Sequence, residues 1–563
     1  MTHQKLTSTQ RDRAAGVLVG QACGDALGVP YEFGPPLRET KPEMVGGGLG
    51  PYAPGEWSDD TQMAICIARV TADGPLDDRG LGRVMRGFQH WLDDGASDVG
   101  NQTRAVLAAT RDIFTNTPPD EDGGSLDQEW FWAALDASGS YAKHHERSAG
   151  NGALMRNGIV GLTALHDRDA TAENARNVAR LTHADPLVLD SCVLHAEAIR
   201  HAVMTGEYDL LTGLDLIPEE RRPQWTDWIA TATLADPSTI EANGSTFGAL
   251  RAAHAAITSM RVMKYAAHEG GNRLHVRHAL EAAVGAGHDT VAAITGALMG
   301  AVYGVSAIPG TWRRRIHGWP DMTVRDLVEL ALRTAGETQP VAWPLREIEP
   351  SPGGRALDVP TSFDEGLHLG TQTALAHTQA DAVDSLSRIG SQENRETRLR
   401  RLGGGNHPAR HVEYWIVDSD DPSTHNDLAA ALNDAADTVA ELRVEGHTVF
   451  LHCVHAHHRT PSVALLYAVE HCGLTADDAA EQIRATLGVD RIDGLLWNTA
   501  MHMAQRTTAS RKPWKPKGWY DNELAIAGDL DCDLSTVMLA RGSGHITAEE
   551  YAAYYDRTHS PKE

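Results

Sequence analysis

Residues 336–362 read GETQPVAWPLREIEPSPGGRALDVPTS, and a stretch so dense in proline and glycine can neither continue a helix nor sit inside a sheet. It divides the chain into two parts whose patterns call for different folds. Before it, Ala-rich stretches with apolar residues three and four apart recur at 60–72, 101–113, 187–204, 247–265 and 291–305. Gly/Pro-rich loops at 46–57, 148–152 and 285–288 separate them. The pattern predicts an all-α domain over 8–335, then a linker over 336–362. Beyond the linker, VEYWIVD (412–418) and TVFLHC (448–453) read as buried strands, with helices at 424–444 and 461–471. Strands alternating with helices predict an α/β domain over 363–510. The end, 511–563, opens on the basic run RKPWKPKGW and closes on the helix-like ITAEEYAAYYDR, and no chemistry attaches to it.

A chain of 563 residues has room for such a multidomain arrangement. Lys and Arg number 50 against 76 Asp and Glu, a net charge of −26, which argues against nucleic acid or an anionic membrane as partner. Six scattered cysteines make a disulfide framework or structural zinc site improbable and fit a reducing cytoplasm. The N-terminus has no apolar signal region, and apolar stretches such as 291–305 fall short of a bilayer span. The expected location is cytoplasmic. Trp57, Trp312 and Trp319 read as core or loop anchors, the 28 histidines as mostly surface residues, and Arg313–Arg315 as a solvated face.

Four clusters in the helical part could carry chemistry: Gly24-Asp25-Ala26-Leu27-Gly28 with Glu32 downstream, Trp57-Ser58-Asp59-Asp60-Thr61, Gly150–Arg156, and His288-Asp289-Thr290. Adjacent carboxylates repel and call for a cation or hydrogen-bond donors nearby. Oxygen-only ligands suit a hard ion such as Mg²⁺ or Mn²⁺. Each cluster alone has a plainer reading, since Ser58 is a good N-cap and Asp59 and Asp60 in a first turn favour the helix dipole.

Together, 16-GVLVGQACGDALGVPYE-32, 55-GEWSDDTQMA-64, 150-GNGALMR-156, Thr182-His183 and the element ending in 289-DTVAAI-294 resemble the ADP-ribosylglycohydrolases in order and spacing over some 300 residues. The resemblance implies an all-α fold with a two-metal site, usually Mg²⁺, in a cleft that binds ADP-ribose. It places metal ligation on Ser58, Asp59, Asp60, Asp289 and Thr290, and acid/base catalysis on Glu32 and Asp60. It places substrate contacts on Gly150, Asn151, Gly152 and Met155, with His183 nearby. One departure stands out. Where the family has Asp-Thr-Asp-Thr, this chain has 285-GAGHDTVAAI-294, so that either the first Asp is Gly287 or two residues are missing. One carboxylate is lost in both cases; the second metal is then weak, water-held or absent, or His288 substitutes.

In the second domain, a predicted strand runs into Cys453, then Val454-His455-Ala456-His457-His458, then Arg459-Thr460 and a helix. A tight loop from a strand end to a helix start turns its N–H groups inward, binds a phosphate dianion and favours a thiolate. The segment resembles the signature of the dual-specificity and tyrosine Cys-phosphatases. That resemblance implies Cys453 as nucleophile, Arg459 as phosphate clamp, Thr460 as the hydroxyl assisting thiolate release, and a general acid at Asp418, with Asp420 or Asp421 as alternatives. Ala456 stands where the family has glycine, which puts a Cβ in a left-handed position at ~1–2 kcal/mol. The crowded histidines would shape the site or bind a metal with Cys453.

The expected function is a metal-dependent hydrolase cleaving the glycosidic bond between ADP-ribose and an acceptor, on an ADP-ribosylated protein or small ADP-ribosyl compound. A Cys-phosphatase-like domain would act beside it on a phosphorylated substrate. The alternative is a non-catalytic reader that binds ADP-ribose and phosphorylated ligands at degenerate sites.

Overall fold

The computed structural model describes residues 5–32, 34, 37, 41–117, 125–240, 244–259, 272–337, 354–387, 410–414, 416–422 and 428–510. Among the described residues twelve helices build the first part, in chain order α1 (Ser8–Gly28), α2 (Asp59–Thr71), α3 (Asp78–Asp93), α4 (Asn101–Asn116), α5 (Leu126–His144), α6 (Arg168–Arg180), α7 (Pro186–Thr205), α8 (Arg222–Thr233), α9 (Thr246–Thr258), α10 (Asn272–Tyr303), the short α11 (Gly310–Arg313) and α12 (Val324–Thr334). Its strands among the described residues are β1 (His317–Gly318) and β2 (Met322–Thr323), a minimal hairpin. The helical expectation for this domain holds.

Helices α1 and α10 form its centre by touching backbone to backbone. A Cβ on Gly16 would lie 2.3 Å from Gly300 O, and one on Gly20 would lie 2.2 Å from Gly296 O. Small residues every fourth position keep this seam closed along its length, because nothing larger fits between the two chains. The seam ends at Gly24 and Ala292, one residue from Asp25 on α1 and three from Asp289 on α10. Close helix approach is thus what places two carboxylates together.

The expected loop at 285–288 is not there, because α10 runs unbroken through it. Gly285 and Gly287 each disfavour a helix interior by ~1 kcal/mol, but the long apolar face packed on α1 and α9 outweighs them. The helix expected over 247–265 ends at Thr258, and residues 260–271 lie outside the described ones.

The second part holds β3 (Asp358–Pro360), β4 (Leu367–Thr371), β5 (Ala382–Ser385), β6 (His411–Glu413) and β7 (Val449–Cys453). Helices α13 (Leu428–Val444), α14 (Arg459–Glu470), α15 (Ala476–Leu487) and α16 (Leu495–Ser510) accompany them. The sheet order is β3-β4-β7-β5-β6, with β3 antiparallel and the rest parallel. Every residue of the central β7 is buried, as a parallel strand covered on both faces requires. Residues 358–360, expected to be linker, form the edge strand, and the strand expected over 412–418 pairs only as far as Glu413. The proposed linker's 338–353 and the whole of 511–563 lie outside the described residues.

Arg313–Arg315 are not a solvated face. Arg313 and Arg314 are each 4% exposed, at a seam with the second part. A charge run cannot show that its partners wait more than a hundred residues downstream. Several histidines expected at the surface are likewise buried, among them His183, His195, His254 and His452. The five cysteines among the described residues are all free.

Candidate active site

The first turn of α2 is capped from another helix. Ser58 occupies the N-cap position but makes no capping bond of its own. Asp25 on α1 accepts from Ser58 N at 3.0 Å and Ser58 Oγ at 2.7 Å on one oxygen, and from Thr61 N at 3.0 Å and Thr61 Oγ1 at 2.6 Å on the other. All four acceptor positions of the carboxylate are used. Asp25 therefore orients the turn that presents Asp59 and Asp60, although it lies close enough to Asp60 and Asp289 to join a three-carboxylate metal set. The sequence reading named the Asp25 cluster but gave this residue no role; its signal was a lone carboxylate inside the apolar run Ala22–Gly28.

Asp59, Asp60 and Asp289 are buried around this point, and Glu32, just after a single 3₁₀ turn, is half-buried beside them. Glu32 lies within hydrogen-bonding reach of both Asp289 and Asp98. Asp98, in the loop before α4, was missed because a single loop carboxylate carries no pattern. Burial, and then the repulsion of neighbouring carboxylates, holds Asp59 and Asp60 far above the usual carboxylate range. Glu32 and Asp289 are raised, first by burial and then by the acids around them. The strongest charges bearing on Asp59 and Asp60 are those of neighbouring carboxylates. Asp60 Oδ1 is buried without a hydrogen-bond partner, an arrangement that costs about 1–3 kcal/mol or more unless something positive meets it. An orphaned carboxylate oxygen among crowded acids fits a divalent cation; the carboxylates that converge within reach of one ion are Asp25, Asp60 and Asp289, with Asp59 beside them. Ser58 Oγ, 3.4 Å from Asp60 Oδ2, lies at the same point, and Thr290 follows Asp289 on α10, its N–H donating to Asp289 Oδ1 at 2.7 Å.

The departure at Gly287 now has a structural counterpart. Positions two apart on a helix lie about 200° apart around its axis, so a carboxylate at 287 would face away from Asp289. The unbroken α10 and the missing ligand belong together. Of His288 only the backbone is described.

The Gly150–Arg156 loop pairs with the start of α9, through Asn151 N to Gly244 O at 3.3 Å and Thr246 N to Ala149 O at 2.9 Å. Against it lies the His183 ring, whose Nε2 would sit 3.5 Å from a Cβ on Gly150 and 3.3 Å from one on Gly152. Glycine at these positions leaves open the face that His183 lines. Burial, and then the neighbouring Arg156, pushes His183 down to about 3, so its imidazole is neutral. Arg156 is itself buried, its Nη2 donating to Thr182 Oγ1 at 2.6 Å and its guanidinium 4.4 Å over the Phe88 ring. Thr182 Oγ1 in turn meets His183 Nδ1 at 2.7 Å. Met155, expected to contact substrate, is turned into the hydrophobic core, because the turn that exposes Gly150 and Gly152 rotates it inward.

In the second part Cys453 ends the central strand, in the position where parallel sheets bind ligands. Ala456 adopts the left-handed conformation the missing glycine would have taken, φ 57°, and its N–H donates to Cys453 Sγ at 3.2 Å. Arg459 is buried, its Nη1 donating to Ile416 O at 3.1 Å and its Nη2 3.5 Å from Asp418 Oδ2. His458 Nδ1 meets Asp418 Oδ1 at 2.9 Å. Asp420 instead caps α16, accepting from Leu495 N at 2.7 Å, while Asp418 faces the loop beside His458 and Arg459. Thr460 is buried with Oγ1 unbonded. Among the described residues, Cys453 and the loop histidines do not come together as a metal set.

The family described as ADP-ribosylglycohydrolase matches residues 6–342, more than half the chain. The chain belongs to the ADP-ribosylglycohydrolase family. Over 313 residues it is 29% identical to ADP-ribosylarginine hydrolase Tri1 of Pseudomonas putida (strain GB-1), covering 54% of this chain and 74% of that one. Over 340 residues it is 26% identical to ADP-ribosyl-[dinitrogen reductase] glycohydrolase of Rhodospirillum rubrum, covering 58% of this chain and 97% of that one. The glycohydrolase match stops short of the mixed sheet. Human DUSP28 covers 27% of this chain at 18% identity and a TM-score of 0.21, a likeness too slight to carry the phosphatase expectation. Among the described residues no helix is long and apolar enough to cross a membrane.

Proposed function

We propose that the helical domain hydrolyses the glycosidic bond joining ADP-ribose to an arginine side chain of a modified protein, using one bound divalent cation, Mg²⁺ or Mn²⁺. The buried, unpartnered Asp60 Oδ1 in a ring of acids carries this reading, and the resemblance to an ADP-ribosylarginine hydrolase supports the acceptor. Asp59, Asp60 and Asp289, with the Ser58 and Thr290 hydroxyls, would hold the cation. When bound, it offsets their charge and lowers the pKa of a coordinated water. The loss of one family carboxylate before Asp289 favours one cation over two.

The rest falls to the chain's own groups. Glu32, kept protonated by burial and then by its acidic neighbours, donates a proton to the departing guanidine nitrogen. Water adds its hydroxyl to the anomeric carbon as the carbon–nitrogen bond breaks, its remaining proton passing to the Glu32 carboxylate, and the acids around it favour the oxocarbenium-like charge that develops there. The neutral His183 and the open Gly150–Gly152 turn contact the sugar and phosphates. ADP-ribosylated arginine and serine peptides test the reading: release from the arginine peptide with Mg²⁺, abolished by chelator, is expected. Tight ADP-ribose binding without release from either peptide would instead favour the reader.

A second reading concerns Cys453. Ala456 in the left-handed conformation, with Arg459 held at the loop and Asp418 facing it, favours a phosphate-binding loop with Cys453 as nucleophile. Hydrolysis of para-nitrophenyl phosphate, lost in Cys453→Ser and reduced about 100-fold in Asp418→Asn, is expected. No turnover by the wild-type chain would remove the phosphatase activity.

A further inference from the structure

The seam between the two parts is built into the loop that carries the acids. On the helical side it is α11 and the two arginines after it. Gly310 N donates to both carboxylate oxygens of Asp434, at 3.1 and 3.0 Å, and a Cβ on Gly310 would sit 1.9 Å from the Tyr414 hydroxyl. Arg313 lies 5.2 Å over the Tyr414 ring and donates to Glu413 O at 3.3 Å. The Arg314 side chain is wholly buried, its Nε donating to Glu441 Oε2 at 2.8 Å and its Nη2 to Glu445. Arg315 pairs with the same two glutamates. Buried guanidinium groups of this kind hold their backbone only while their carboxylates are present. The arginines fall within the residues matched to the glycohydrolase family, and their partners fall outside them.

Two residues on, the same strand of chain grips the metal loop. His317 N donates to Gly55 O at 3.2 Å, and Trp57 N donates to His317 O at 3.1 Å. Gly55 has φ +83° and passes so close that a Cβ there would lie 2.3 Å from Arg315 O. The buried Trp57 is tied again through its Nε1, which donates to Trp319 O at 3.1 Å. Ser58 is the next residue, followed by Asp59 and Asp60.

We propose that the C-terminal α/β domain is a positioning part of the hydrolase centre: by holding Gly310–Arg315 it sets the backbone of Gly55–Trp57, and with it the turn bearing Ser58, Asp59 and Asp60. Glu441 and Glu445 are the positioning residues. This rests on the metal-loop reading above but not on catalysis.

The test uses the full chain, free of metal and substrate, and reads amide hydrogen exchange over residues 50–62 and 308–320. Glu441→Gln/Glu445→Gln loosens the seam from one side, and Gly310→Ala from the other. Both are expected to raise exchange at residues 55–60 about 10-fold and to weaken Mn²⁺ binding, read by electron paramagnetic resonance, about 10-fold, with a cooperative melt retained. Arg314→Glu paired with Glu441→Arg is expected to restore much of the protection that Arg314→Glu alone removes. Unchanged exchange at 55–60 in both seam variants overturns the proposal, and so does a change in only one of them. If a seam variant fails to fold, Glu445→Gln alone replaces it under the same criteria. Should the wild type release no ADP-ribose, the hydrolase reading falls by itself, because the exchange measurement needs no substrate.

Discussion

Asp60→Asn is expected to lower metal-dependent ADP-ribose release about 1,000-fold, a loss of roughly 4 kcal/mol of transition-state stabilisation. The same change should leave the metal-free protein as stable as before or more so. Asp60 is 1% exposed, and the strongest charges bearing on it are carboxylates, so removing its own charge relieves the cost of burial and of their repulsion. Its orphaned Oδ1 is the atom best placed to meet a cation, and an amide oxygen there is a far weaker ligand. The checks are release from the ADP-ribosylated arginine peptide and a urea midpoint measured with chelator. A variant that keeps full activity would show that the acidic ring is not a metal centre. One that unfolds in chelator would show that Asp60 is structural.

Asp25→Asn should do the opposite. Its four accepted hydrogen bonds fix the start of α2, and an amide presents a donor where the Thr61 N–H and hydroxyl already donate. We expect a loss of about 2–3 kcal/mol, from a buried charge-assisted clamp and a helix cap removed together. Because Asp25 has no acceptor position left for a cation, saturating Mg²⁺ should recover little of that loss. Urea unfolding with and without Mg²⁺ checks it. Full recovery by Mg²⁺ would mean that Asp25 is a ligand and the clamp secondary. Together the two variants separate the residue that holds the turn from the residue that the turn presents.

Much of the site is legible in the sequence. Ser58-Asp59-Asp60 at a helix start, Glu32, and Asp289 beside Thr290 are local patterns, and the structure brings them to one place. The Cys453 loop was legible in the same way, since a strand end, a tight turn and a helix start follow one another directly in the chain. Met155 shows the limit of carrying a motif over whole. It stands within the Gly150–Arg156 loop, yet the turn that exposes the glycines sends its side chain into the core.

The sequence by itself determined the helical and α/β halves, the acidic residues, and the family to which the chain belongs, because periodicity, turn residues and motif spacing are properties of near neighbours. Only the tertiary structure decided that Asp25 caps a helix 33 residues away, that Asp98 joins Glu32, that α10 runs through its glycines, and that Arg314 is buried against Glu441. Each of these depends on how closely two distant backbones approach. At the α1–α10 seam that distance is set by glycine against glycine, and at Gly310 by a tyrosine hydroxyl that leaves no room for a side chain. Local pattern names the groups; the closeness of the backbones decides which of them meet.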